Sequence, residues 1–131
     1  MIIIGDKLVP FEEVIYIKNI ENIKYTKANS TIIFDYDEKT LEYSYKNNLS
    51  SAVIVSSIKE SIYCNSLNVK YIISEKNLAS EIQKIADNYM YDSKNLVIIN
   101  SNEEFEQTAK AQIDGAIFKE LINQKWEFFY S

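Results

Sequence analysis

The stretch from Ser51 to Phe118 decides the fold. It reads SAVIVSS (Ser51–Ser57), IKESIYCNSLN (Ile58–Asn68), VKYIIS (Val69–Ser74), EKNLASEIQKIADNYMYD (Glu75–Asp92), NLVIIN (Asn95–Asn100), NEEFEQTAKAQID (Asn102–Asp114) and GAIF (Gly115–Phe118). Short apolar runs alternate with helix-like runs. That rhythm is the pattern of a parallel sheet covered by helices. The all-apolar runs, rather than alternating ones, are those of strands buried on both faces.

Working outward, the same unit recurs upstream. Thr31–Phe34 is a continuous apolar strand, and Asp37 is placed to cap a helix over Glu38–Asn48 with Leu41 and Tyr45 facing inward. Asn19 is placed to cap a short helix over Ile20–Lys27, and Val14–Ile17 is a strand candidate. Met1–Ile4 is a β-branched run ended by Gly5-Asp6, and Pro10 argues against a continuous strand through Leu8–Ile15.

Ser57-Ile58-Lys59-Glu60 and Ser101-Asn102-Glu103-Glu104 are capping boxes, each opening a helix. The first helix turns Ile58 and Ile62 toward the sheet. Ser74 is expected to cap the helix Glu75–Met90, where Leu78, Ile82, Ile85, Ala86 and Tyr89 keep a helical period. Gly115 is read as the tight turn from the last such helix into the strand Ala116–Phe118. Strands recur about every 20 residues, near the minimum for a right-handed crossover. The expected class is α/β, a mainly parallel sheet of five or six strands with helices on both faces. The 131 residues form one domain, with an N-terminal strand and turn region (1–30) and an aromatic C-terminal tail (119–131).

Composition excludes several chemistries. The 14 basic residues are all Lys; the chain has no Arg and no His, and its net charge is -5. An acidic chain without the planar Arg fork is a poor nucleic-acid binder, so no nucleic-acid partner is expected. One cysteine, Cys64, cannot form an internal disulfide, and its expected role is that of a small buried hydrophobe. MIIIG is too short for a signal peptide core or a membrane span, so a cytoplasmic protein with no membrane partner is expected. The heavy use of Ile, Lys, Asn and Tyr resembles the codon bias of an AT-rich bacterial genome, so a bacterial source is expected. One Cys and no His cannot make an ordinary zinc site, and no metal or cofactor is expected. Two glycines cannot build a phosphate-binding glycine loop. Ser57 and Ser101 have no histidine base to make them nucleophiles.

In open parallel sheets, ligands bind beyond the carboxyl ends of the strands. The residues there are Asp35 and Asp37, Ser56 and Ser57, Ser74 and Glu75, Asn100 and Ser101, and Lys119 and Glu120. Asp35, Asp37 and Lys119 are the catalytic candidates; Ser56, Ser74, Glu75, Asn100 and Glu120 are the ligand-binding ones. Asp35-Tyr36-Asp37 after Thr31–Phe34 resembles the D-x-D opening of haloacid-dehalogenase-type phosphotransferases. That resemblance implies a nucleophilic Asp35, a general acid at Asp37 and magnesium between them. The chain departs from the pattern at Lys39, where Thr or Val is expected, and lacks the later Asp-Asp pair. On residue chemistry alone, Asp37 is a helix cap and Asp35 a solvated turn.

The run IDGAIFKELI (Ile113–Ile122) is similar to the last βα unit of phosphate-binding (βα)8 barrels. The similarity implies a half-barrel or a flavodoxin-like sheet. Lys119-Glu120 stands where the anion-cradling turn would be, with no second Gly.

The tail adds Trp126, Phe128, Phe129 and Tyr130, aromatic surface suited to a subunit interface. The function expected from these features is a non-enzymatic interaction or scaffold protein acting as a homo-oligomer, a dimer in the simplest case. The alternative is a small-molecule-binding protein, or a magnesium-dependent enzyme using the acidic strand ends.

Overall fold

The structure is a computed structural model that describes residues 1–122, Tyr25 by its backbone alone. Chain order gives β1 (Ile2–Ile4), β2 (Val14–Tyr16), a 3-10 helix (Ile20–Tyr25), β3 (Thr31–Asp35), α1 (Glu38–Lys46), β4 (Ser51–Ile54), α2 (Ile58–Ser66), β5 (Tyr71–Ser74), α3 (Lys76–Asn88), β6 (Lys94–Ile99), a 3-10 turn (Asn102–Glu104), α4 (Phe105–Lys110), β7 (Gly115–Phe118) and α5 (Lys119–Ile122). All seven strands join one sheet in the order β1-β7-β6-β5-β4-β3-β2, and every pairing is parallel. The expectation of five or six strands falls short because both three-residue N-terminal strands take places at opposite edges.

That order is the cyclic order of a (βα) barrel opened between β1 and β2. The sheet curls accordingly. Ile4, Val14, Ile33, Ala52, Tyr71, Ile73, Leu96 and Ile117 form one buried cluster, with Ile54 and Ile98 packed against it, so all seven strands contribute to a common interior. Alternate residues face outward. Ile32, Phe34, Val53 and Ile72 pack with Leu41 of α1, Cys64 of α2 and Ile82 of α3. Val97, Ile99 and Ala116 pack with Ala79 of α3 and Phe105 of α4. Helices α1–α4 thus cover the outer face; α5 alone reaches the inner one, through Leu121 and Ile122. This is the half-barrel arrangement rather than the doubly wound one.

The four βα units share one device for leaving the helix. Asn48, Asn68, Met90 and Gln112 all have positive φ (53°, 59°, 50° and 59°). After each, a backbone N–H donates across the turn to a carbonyl five residues back: Leu49 to Ser44, Val69 to Cys64, Tyr91 to Ala86, Ile113 to Thr108. These are Schellman ends, usually made with Gly. Here non-Gly residues occupy the left-handed position, which is how a chain with two glycines builds four such turns.

Gly115 is therefore not the helix-exit turn. It opens β7, opposite Ile2, and a Cβ there would collide with the Ile2 carbonyl oxygen. Other expectations also shift. Tyr45 (46% exposed) and Ile62 (49% exposed) face solvent; the small Ser44, Ser61 and Cys64 are buried in their place, letting both helices approach the sheet closely. On α3, Ala79, Ile82 and Ala86 are buried, Leu78 and Ile85 half-buried, and Tyr89, just past the helix end, is exposed. Ser74 belongs to β5 and does not cap α3; its buried hydroxyl makes no hydrogen bond among the described residues, and Glu75 holds the cap position without a side-chain cap bond. Among the described residues no helix is long and apolar enough to cross a membrane.

Candidate functional site

The two mouths of the curled sheet are closed by different means. At the N-terminal ends of the strands, the segment joining β1 to β2 brings Glu12 inward. Its Oε1 accepts from Tyr71 Oη (2.5 Å) and its Oε2 from Thr31 Oγ1 (2.6 Å), while Lys70 Nζ bonds both oxygens (3.0 and 2.8 Å). Burial pushes the Glu12 carboxyl up, but the bonds from Lys70, Thr31 and Tyr71 and the Lys70 charge outweigh it, so the group lies below the usual carboxylate range. The Tyr71 hydroxyl is pushed upward by burial and by the bond to Glu12.

At the C-terminal ends, α5 runs directly from β7 across to β2 and sets Leu121 and Ile122 over the interior. Gly5, at φ +104°, makes room for it: a Cβ there would stand 2.9 Å from Leu121 Cδ1 and 3.0 Å from Phe118 Cβ. With the interior filled, the open space moves to the rim. A cleft of about 730 Å³ lies beyond the ends of β1, β6 and β7. Gly5–Val9 form one side, Asn100, Ser101, Asn102 and Phe105 another, and Phe118, Lys119 and Glu120 a third. Phe105 and Phe118 meet edge to face with ring centres 6.0 Å apart.

The local sequence explains how these groups are held. Asp6 Oδ2 accepts from Leu8 N (2.9 Å) and Val9 N (3.2 Å), which fixes the loop after β1. Glu104 Oε2 accepts from Asn100 N (2.6 Å) and Ser101 N (3.2 Å), completing the capping box expected at Ser101. The Ser57 box is only half formed. Ser57 Oγ caps Glu60 N, but Glu60 reaches past it to Ser56 N (2.8 Å).

Of the residues singled out from the sequence, the cleft brings together Asn100, Ser101, Lys119 and Glu120. It does not bring in the others. Asp35 Oδ2 accepts from Tyr16 Oη (2.7 Å); burial, with this bond and the Asp35 charge, pushes that phenol up to about 12. Asp37 caps α1 through Thr40 N (2.9 Å) and Thr40 Oγ1 (2.8 Å); these bonds hold its carboxyl below its ordinary value. Ser56 is tied to Glu60, Ser74 is buried, and Glu75 is exposed at the start of α3. No three acidic or cysteine side chains converge as a metal site among the described residues. Cys64 is fully buried, and burial with the nearby Glu60 charge pushes its thiol up to about 12, far from a reactive thiolate. The interface candidates Trp126, Phe128, Phe129 and Tyr130 lie outside the described residues.

Sequence reasoning missed Gly5, Asp6, Lys7, Leu8 and Val9, because nothing local says that β1 pairs with β7. The available signal was Gly5-Asp6 closing a β-branched run. No family model matches the chain, and no curated protein is detectably similar to it in sequence.

Proposed function

We propose that this chain is a cytoplasmic small-molecule-binding protein whose ligand enters the cleft beyond β1, β6 and β7. One observation carries the reading: a cleft of about 730 Å³ stands at the carboxyl ends of parallel strands. Its size falls within the roughly 300–1,000 Å³ of ordinary ligand sites. Its location is that of ligand sites in parallel α/β sheets and barrels, an argument from fold analogy. Two of the carboxylates around it, Asp6 and Glu104, are spent on backbone amides, which favours binding over proton transfer. A thermal-shift screen of small organic molecules, followed by amide chemical-shift mapping, tests it. Hits should move the amides of Gly5–Val9 and Asn100–Asn102. Hits that map elsewhere, or none, remove the reading.

A second reading, a homo-oligomeric interaction protein, is favoured by exposed large side chains on the outer helices. Tyr43, Tyr45, Ile62 and Tyr63 are between 38% and 49% exposed, and such residues are enriched in interface cores. Light scattering on the full chain and on one lacking Trp126–Ser131 separates the possibilities: two folded monomers would leave this reading without support.

A further inference from the structure

We infer that the cleft selects a small organic anion with a flat apolar body, held by Lys7 and Lys119 over Phe105 and Phe118; this rests on the cleft being a ligand site. The charge balance is the first ground. Lys7 and Lys119 both line the cleft, and neither has an ion pair or hydrogen bond among the described residues. Elsewhere Lys27, Lys46 and Lys70 each find a carboxylate. Of the two carboxylates that line the cleft, Asp6 is bound within its own loop by two amides, leaving Glu120 as the uncommitted one. In a chain of net charge -5, the lining sets these two lysines against two carboxylates, a formal balance of zero, and one of those carboxylates is already turned onto backbone amides.

The apolar part is the second ground. Phe118 and Phe105 are half-buried and both line the cleft, so each keeps some surface for a ligand ring. Leu8 is 87% exposed, an apolar side chain with nothing upon it at the cleft's edge. The side-chain amides of Asn100 and Asn102 supply neutral donors and acceptors beside the lysines. A bare inorganic anion would leave the rings unused; a neutral aromatic would leave the lysines unused.

Four probes on the full chain separate the parts: 3-phenylpropionate, its neutral amide, phenethylamine and inorganic phosphate, each titrated with amide shifts followed. The propionate is expected to bind with the largest shifts at Gly5, Leu8 and Ser101. Lys7→Met with Lys119→Met should weaken it by about tenfold or more, and Lys7→Arg with Lys119→Arg should restore most of the affinity. Both lysines are exposed, so the variants keep the fold, and unchanged shifts in β5 and β6 verify it. Equal binding of the amide or the amine overturns the anion selectivity while leaving the cleft as a binding site. Phosphate binding as well as propionate overturns the apolar half. Failure of all four probes overturns the cleft reading itself.

Discussion

At the N-terminal ends of the strands, three donors converge on Glu12: Thr31 of β3, Tyr71 of β5 and Lys70 just before it, and Lys70 forms an ion pair with the carboxylate. At the C-terminal ends, Lys7 and Lys119 line a cleft and have no partner among the described residues. The same β1–β2 segment takes part in both: its first residues line the cleft, and Glu12 ties down its far end. One end spends a carboxylate on tying the β1–β2 segment to β3 and β5, and the other spends its carboxylates Asp6 and Glu104 on local amides while its lysines stay unpaired among the described residues. That is the division expected of barrel-like folds, with stability at one face and binding at the other.

The sharpest break of this comparison is at Gly115. Gly115→Ala places a methyl against the Ile2 carbonyl, so β1 must leave β7. A loss of about 3 kcal/mol is expected in urea unfolding, and an unchanged midpoint would show that β1 is not held there. Glu12→Ala is next. It strands the Tyr71 hydroxyl, unpairs Lys70, leaves Thr31 only its bond to Ser50 Oγ and frees the β1–β2 segment, at a cost of about 1–2 kcal/mol, tempered by the partial exposure of the carboxylate.

The pH dependence gives the sign. Glu12 and Asp37 both have folded pKa values below their unfolded ones. Their contribution is therefore present above the unfolded carboxylate range and is lost as pH falls through the folded values. Stability should decline below about pH 4, and the decline should be shallower in Glu12→Gln. Parallel curves for the two proteins would remove Glu12 from the account. Asp37→Ala should cost about 1 kcal/mol through the lost cap of α1. A gain in stability would instead mean that Asp35 and Asp37 repel each other in a shared site.

Similar in size and opposite in sign, Gln112→Gly should raise stability by about 1 kcal/mol by relieving the left-handed conformation. At the open end, Lys7→Met with Lys119→Met should change stability by less than about 0.5 kcal/mol. A large loss there would mean that the lysines hold the fold rather than face a ligand.

Much of the fold was legible because its signals are local. Ile72, Ile73, Val53 and Ile33 sit in continuous apolar runs that only a two-sided strand explains, and each is fully buried. Asp37 and Ser101 cap where their spacing placed them. The inward faces of α1 and α2 misled because small residues, Ser44, Ser61 and Cys64, do the packing, and a hydrophobic pattern weights Tyr45 and Ile62 instead. Met90 and Gln112 carry no sequence mark of the turns they make.

The candidate site was legible only in part. Asn100, Lys119 and Glu120 could be found at strand ends, but Asp35, Asp37, Ser56 and Ser74 stand at strand ends too and are occupied with local bonds or burial. Apolar period and capping chemistry act over a few neighbours, so the amino-acid order by itself determined the repeated strand-helix units and their parallel sense. Which strands became edges, how far the sheet curled, and that Gly5–Val9 would meet Lys119 were decided only by the pairing of β1 with β7. That pairing joins segments far apart in the chain through backbone hydrogen bonds that carry no side-chain signature, so only the folded molecule specifies it.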